Sequence, residues 1–255
     1  MELREDERID DLQFKDLKII QNKNAFCFGI DAVLLSDFSK KIKANSTVVD
    51  LCTGTGIVAI LLEAKTKAKK IYAVEIQKDI AEMAKRSVIL NKQEDKIEVV
   101  NEDLKNIDKV FGKATVDVVT VNPPYKKVGS GIINELDTKT ISRHEVLCTL
   151  EDIVEKSVKI LKTGGSFFMV HRTERLVDIL SVMREKKLEP KRIRFVHPSS
   201  GKAPNLVLVE GVKGGKPFLK IDEPIYVYDE NGNYTCTVMD IYNMPIGGGE
   251  NRQST

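Results

Sequence analysis

Two hydrophobic rhythms alternate along the chain. Short apolar runs cover residues 47–51, 71–75, 96–100, 116–121, 166–170, 192–196 and 206–210, and each reads as a buried strand. Between them lie stretches with helical spacing at 57–64, 79–90, 150–161 and 176–186. The second of these is the clearest: Ile80, Met83, Ala84 and Val88 share one face, and Glu82, Lys85 and Arg86 the other. Strands separated by helices imply parallel crossovers, so the pattern predicts a doubly wound α/β sheet. The last two strands have no long helix between them and are expected to form an antiparallel hairpin at one edge of seven strands. No internal repeat is present.

The two ends break the rhythm. Before about residue 44 the spacing predicts a hairpin near 12–21 and a helix over 31–39. After Pro224, Tyr226-Val227-Tyr228 and Tyr234-Thr235-Cys236-Thr237 flank Asn231-Gly232. Asn-Gly between alternating apolar runs favours a tight hairpin turn, because both turn residues need positive φ. The expected organisation is an N-terminal extension (1–43), a central domain (44–221), a C-terminal hairpin (222–243) and a disordered tail (244–255) containing Gly247-Gly248-Gly249.

Composition narrows the class. Of 255 residues 42% are hydrophobic, enough for one sizeable core with small appendages. Net charge is only +2, so a nucleic-acid partner would need local basic patches. The charged N-terminus lacks a signal core, and the apolar stretch around 48–62 is broken by Asp50 and a glycine turn. The chain is expected to be soluble and cytoplasmic. Cys27, Cys52, Cys148 and Cys236 are widely spaced, which argues for free thiols and against zinc; no metal is expected. His144, His171 and His197 read as hydrogen-bonding residues at strand or loop ends.

Asp50-Leu51-Cys52-Thr53-Gly54-Thr55-Gly56 joins the first central strand to a helix. Glycines there allow a sharp turn and close approach of a ligand. Glu75 closes the next strand, where an acid accepts hydrogen bonds from ribose hydroxyls in nucleoside-binding folds. Ala59 also completes a G-x-G-x-x-A pattern, so the loop alone leaves a nicotinamide cofactor open. An early carboxylate at Asp50 favours S-adenosylmethionine, whose ammonium and sulfonium it suits; it would repel a pyrophosphate. Asn101-Glu102-Asp103-Leu104 follows the third strand, a place where an acid meets an adenine amino group, although an ordinary polar loop reads equally well.

Asn122-Pro123-Pro124-Tyr125 follows the fourth strand directly. Consecutive prolines force an extended backbone and present the Pro123 carbonyl rigidly. A planar amino nitrogen is a poor nucleophile, because its lone pair is delocalised. Acceptors at the Asn122 side chain and the Pro123 carbonyl would draw it towards a pyramidal form and stabilise developing positive charge. Tyr125 would stack on the planar group.

With these motifs the chain resembles the amino-group methyltransferases that carry Asn-Pro-Pro-Tyr, of Rossmann-like class I fold. More closely it resembles the bacterial tRNA (adenine-N6)-methyltransferase family acting on adenine 37 of a valine tRNA. That likeness spans roughly residues 9–243 and rests on Phe28-Gly29-Ile30-Asp31-Ala32-Val33-Leu34-Leu35, Arg143-His144-Glu145, Val170-His171-Arg172-Thr173-Glu174-Arg175-Leu176 and Val196-His197-Pro198. The resemblance implies an N-terminal segment that closes over the cofactor. It implies S-adenosylmethionine bound by Asp31, Asp50, Cys52, Thr53, Gly54, Gly56, Glu75, Ile76, Asp103, Leu104 and Asn122. Where many relatives have glycine this chain has Cys52, which narrows the turn's freedom.

Basic runs at 65–70 and 184–194 read mostly as solvated faces. Lys126 and Lys127 follow the tetrad at once, and Lys139, Arg143 and His144 share its loop; together they are expected to hold a tRNA backbone around a flipped adenine. The leading expectation is N6-methylation of adenine in tRNA. Methylation of a protein glutamine uses the same chemistry, but such enzymes usually carry a separate helical N-terminal domain, for which about 44 residues leave little room. DNA adenine, rRNA guanine, and an RNA-binding protein without catalysis are the other readings.

Overall fold

The computed structural model describes residues 3–23, 29–124 and 148–244. A two-stranded antiparallel ribbon, β1 (Glu7–Asp11) and β2 (Lys18–Asn22), comes first. Helix α1 (Ile30–Phe38) follows. Then come β3 (Thr47–Leu51), α2 (Ile57–Lys65), β4 (Lys70–Glu75), α3 (Lys78–Leu90) and β5 (Ile97–Asn101). A 3-10 turn (Leu104–Asn106) and the short α4 (Ile107–Phe111) lead into β6 (Val116–Val121). Beyond it lie α5 (Leu150–Ile160), β7 (Leu161–Arg172), α6 (Leu176–Glu185), β8 (Leu188–Ser199) and β9 (Leu206–Lys213). The chain continues through β10 (Lys220–Ile221), β11 (Ile225–Tyr228) and α7 (Cys236–Tyr242).

The main sheet runs β5-β4-β3-β6-β7-β9-β8, with β10 and β11 both pairing β8. Strands β5, β4, β3, β6 and β7 are mutually parallel, and β9 is antiparallel to both β7 and β8. The expected mostly parallel sheet with an antiparallel hairpin is observed, but it has nine strands rather than seven, because β10 and β11 both add in parallel to β8 beyond the hairpin. The reversal of strand order between β3 and β6 opens a crevice at their carboxyl ends, where ligands bind in such sheets.

Side-chain alternation builds a core on each face. Along β3, Val48 joins the cluster under α1, α2 and α3, while Val49 and Leu51 join the cluster under α5 and α6. Asp50 takes the remaining inward position on the first face, a polar residue in an apolar row. Arg192 ties α1 to the sheet edge: its guanidinium sits 4.0 Å from the Phe38 ring centroid and donates to the Phe38 carbonyl at 2.8 Å.

The ribbon's β2 faces α3. Ser87 Oγ accepts from the Ile20 N–H at 3.0 Å, and Asn91 exchanges hydrogen bonds with both backbone groups of Lys18. These bonds satisfy an edge that would otherwise offer itself to other strands. Arg86 of α3 clasps the buried Glu7 carboxylate.

The C-terminal hairpin needs correction. Its turn forms, with Asp229 accepting from the Asn231 and Asn233 N–H groups. Tyr228 and Tyr234 form a single antiparallel bridge, but the second arm then becomes α7. Val238, Ile241 and Tyr242 are buried together, so this segment follows helical rather than strand spacing. Of the expected tail (244–255), Met244 packs against the core, and 245–255 lie outside the described residues. Among the described residues no helix is long and apolar enough to cross a membrane.

Candidate active site

The crevice begins at the carboxyl end of β3. Asp50 is 1% exposed, and both its oxygens are engaged: Thr53 Oγ1 donates to one at 2.5 Å and Thr120 Oγ1 to the other at 2.6 Å. Burial pushes its carboxyl up to about 7, against the two hydroxyls, with nearby Glu75 adding to the rise. Asp50 thus lies beneath the glycine loop and fixes its shape, rather than facing the crevice as a free counter-charge. Thr120 was not singled out in the sequence. The available signal was a lone hydroxyl in the apolar run of β6, in register with Asp50.

The loop above is built from left-handed residues. Cys52 has φ +55°, Gly54 +57° and Gly56 +94°. A Cβ on Gly54 would meet nothing within 4 Å, so bare backbone borders open space there. The Thr53 N–H donates to the Val74 carbonyl at 3.0 Å, anchoring the loop to β4.

Glu75 ends β4 and is buried. One oxygen accepts from the Gly54 N–H at 3.0 Å and the other from the Gln77 N–H at 2.9 Å. Asn101 holds the adjoining turn by donating to the carbonyls of Glu75 and Ile76. Asp103 caps the 3-10 turn by accepting from the Lys105 N–H at 2.8 Å.

A pocket runs between these elements, lined by Cys52, Val74, Glu75, Ile76, Glu102, Asp103, Leu104, Pro124 and Cys148. Of the expected cofactor residues it gathers Cys52, Glu75, Ile76, Asp103 and Leu104. Asp50, Thr53, Gly54, Gly56 and Asn122 are not among its lining residues. Asp31 does not line it: this residue is buried at the start of α1, on the side of Tyr242. Val74, Glu102 and Cys148 are lining residues that motif reading missed, and nothing in the spacing marks Cys148.

Asn122, Pro123 and Pro124 follow β6 directly, with Pro123 buried and Pro124 in the pocket wall. Tyr125, Lys126, Lys127, Lys139, Arg143 and His144 lie outside the described residues. His171 and His197 sit at the ends of β7 and β8 and are hydrogen-bonded, to the Arg172 N–H and the Lys202 carbonyl.

The lining fits an adenosyl group. Carboxylates at Glu75 and Asp103 suit hydroxyl and amino hydrogens, and Ile76 and Leu104 offer apolar surface to a flat ring. The open space beside Gly54 accommodates a ligand pressed against backbone.

Residues 16–186 match the methyltransferase small domain family. A tRNA1(Val) (adenine(37)-N6)-methyltransferase of Porphyromonas gingivalis is 26% identical over 206 residues, covering 79% of this chain and 80% of that protein. The fold resembles that of a predicted O-methyltransferase from Agrobacterium tumefaciens, with a TM-score of 0.66 and 22% identity over 84% of this chain and 95% of the other. It also resembles geranyl diphosphate C-methyltransferase from Streptomyces coelicolor A3(2), solved with S-adenosyl-L-homocysteine (TM-score 0.54, 14% identity, 71% of this chain and 79% of the other). The chain belongs to the methyltransferase small domain family and is an S-adenosylmethionine-dependent methyltransferase.

Proposed function

We propose that the chain methylates the exocyclic N6 of an adenine in tRNA, with adenine 37 of a valine tRNA as the target. The observation that carries this reading is the Asn122-Pro123-Pro124 segment at the carboxyl end of β6, beside the cofactor pocket, in a chain whose relatives bear that activity in their names.

Bound S-adenosylmethionine supplies an electrophilic methyl group on a positively charged sulfur. The protein's task is to make a flat amino group nucleophilic and to hold it in line. The Asn122 side-chain oxygen and the Pro123 carbonyl accept the two amino protons. Their pull reduces delocalisation into the ring and stabilises positive charge as the new bond forms. The Pro-Pro backbone keeps both acceptors fixed, so little reorganisation is needed at the moment of reaction. No strong base is required, because the methylated nitrogen is acidic and sheds its proton to solvent. In this reading Tyr125 stacks on the adenine, and Lys126, Lys127, Lys139, Arg143 and His144 hold the surrounding phosphates. Glu75 and Asp103 bind the adenosyl group, and Asp50 acts through the loop it fixes.

The test is a parallel incubation with methyl-labelled S-adenosylmethionine and three acceptors: total tRNA, a peptide-chain release factor and duplex DNA. Label is expected in tRNA, recovered as N6-methyladenosine. Label in the release factor alone would overturn the tRNA reading.

A further inference from the structure

Two of the chain's cysteines meet in the wall of the cofactor pocket. Cys52 lies in the glycine loop after β3, and Cys148 directly precedes α5. The two thiols lie close enough to perturb each other's ionisation, although 96 positions separate them in sequence. Both are free cysteines of intermediate exposure that line the same pocket, which gives a small oxidant a route to them.

Each is held from behind. The left-handed backbone of Cys52 lies between the Thr53 anchor to β4 and the buried end of β3. Cys148 is followed by a capping box, in which Thr149 Oγ1 accepts from the Asp152 N–H and Asp152 accepts from the Thr149 N–H.

We propose that Cys52 and Cys148 form a peroxide-responsive thiol pair whose disulfide joins the glycine loop to the start of α5 across the cofactor pocket. The inference rests on this pocket being the cofactor site, and is independent of which acceptor is methylated.

The pair is chemically asymmetric. The neighbouring Cys52 thiol draws the Cys148 thiol below the usual range, against burial and the charges of Asp152 and Asp103, with Lys105 assisting. The same contact, together with burial, pushes Cys52 well up. Cys148 is therefore the attacking thiol and Cys52 the resolving one. The Cys148 sulfur attacks one oxygen of hydrogen peroxide; the O–O bond breaks, water leaves and a sulfenic acid remains. The Cys52 sulfur then attacks the sulfenic sulfur, the S–O bond breaks and a second water leaves with the Cys52 proton. Two thiols lose two electrons in all, and one peroxide becomes two waters. The new bond brings the sulfurs to about 2 Å and draws the two pocket walls together.

The test uses the full chain treated with hydrogen peroxide, digested without reduction and mapped by tandem mass spectrometry. S-adenosylhomocysteine binding is followed in parallel by calorimetry. A Cys52–Cys148 cross-link is expected as the main product, with ligand affinity at least about tenfold weaker and restored by dithiothreitol. Prior saturation with S-adenosylhomocysteine should slow the reaction, and Cys148→Ser should abolish the cross-link. Oxidation confined to the exposed Cys236, or a cross-link that leaves affinity unchanged, would overturn the proposal. Failure to methylate tRNA would refute the acceptor assignment alone.

Discussion

The Glu75 carboxylate accepts a hydrogen bond from the Gly54 N–H at 3.0 Å, joining the end of β4 to the glycine loop of β3. Its second oxygen serves the Gln77 N–H. One side chain therefore ties together the two strand ends that border the pocket. Glu75→Gln replaces one acceptor oxygen with a donor and leaves a backbone N–H facing an NH2 group. An unsatisfied buried group costs about 1–3 kcal/mol. Cofactor affinity, measured by calorimetry with S-adenosylhomocysteine, should fall roughly tenfold or more. Unchanged affinity would mean that Glu75 serves only the fold.

Cys52 occupies a backbone conformation that favours glycine, with φ +55°. A side chain there costs roughly 1–2 kcal/mol, and glycine's extra freedom in the unfolded chain costs about 0.5–1 in return. Cys52→Gly should therefore stay within about 1 kcal/mol of the parent in denaturant unfolding, after allowing for lost thiol packing. Cys52→Val should be less stable than either, because a β-branched residue is an outlier at this φ. Equal stability of the valine and glycine variants would contradict the left-handed assignment.

Three buried groups make stability depend on pH with different signs. Glu7 is held down to about 2, chiefly by hydrogen bonding to Arg86, so its contribution is complete above pH 4.5 and disappears as pH falls through 2. Burial, aided by Arg175, lowers His171 to about 4, so the neutral ring loses stability as pH falls from 6.5 through 4. Asp50 acts oppositely. Its carboxyl is raised to about 7, so the folded state holds the extra proton and stability declines as pH rises from 3.8 to 7. The last two effects oppose each other between pH 4 and 6.5, and the parent should show a shallow profile there. Asp50→Asn should steepen the acid-side loss in that window. Glu7→Gln should remove the separate loss between pH 4.5 and 2 and lower stability at neutral pH. Chemical denaturation across pH 2–8 measures each slope; an unaltered profile in Asp50→Asn would contradict the buried-carboxyl account.

Much of the fold is legible in the sequence where one physical signal dominates. The runs that became β3, β4 and β6 are buried on both faces, so continuous apolarity marks them without ambiguity. The glycine loop and Glu75 are legible because their chemistry demands particular residue types at strand ends. The C-terminal arm misleads because Tyr234-Thr235-Cys236-Thr237 has strong strand propensity, whereas Val238, Ile241 and Tyr242 outweigh it by burying one helical face. Asp50 is the instructive case at the site. Its position near the end of an apolar strand, just ahead of the glycines, suggests a counter-charge for the cofactor. Only the three-dimensional placement of Thr53 and Thr120 reveals that both oxygens are occupied. Cys148 reaches the pocket through tertiary packing ahead of α5, which no local spacing encodes.

The central claim concerns Asn122, directly after β6, as an acceptor for a planar amino group. Its most direct test is nucleoside mass spectrometry of valine tRNA incubated with S-adenosylmethionine and either the parent or Asn122→Ala, with S-adenosylhomocysteine affinity measured on both proteins. The parent should place N6-methyladenosine at position 37. Asn122→Ala should lower the rate by about 10² or more, the scale set by removing one preorganised transition-state hydrogen bond, while cofactor affinity changes only a few-fold. Full activity in Asn122→Ala, or a methyl group on any atom other than an exocyclic amino nitrogen, would contradict the account.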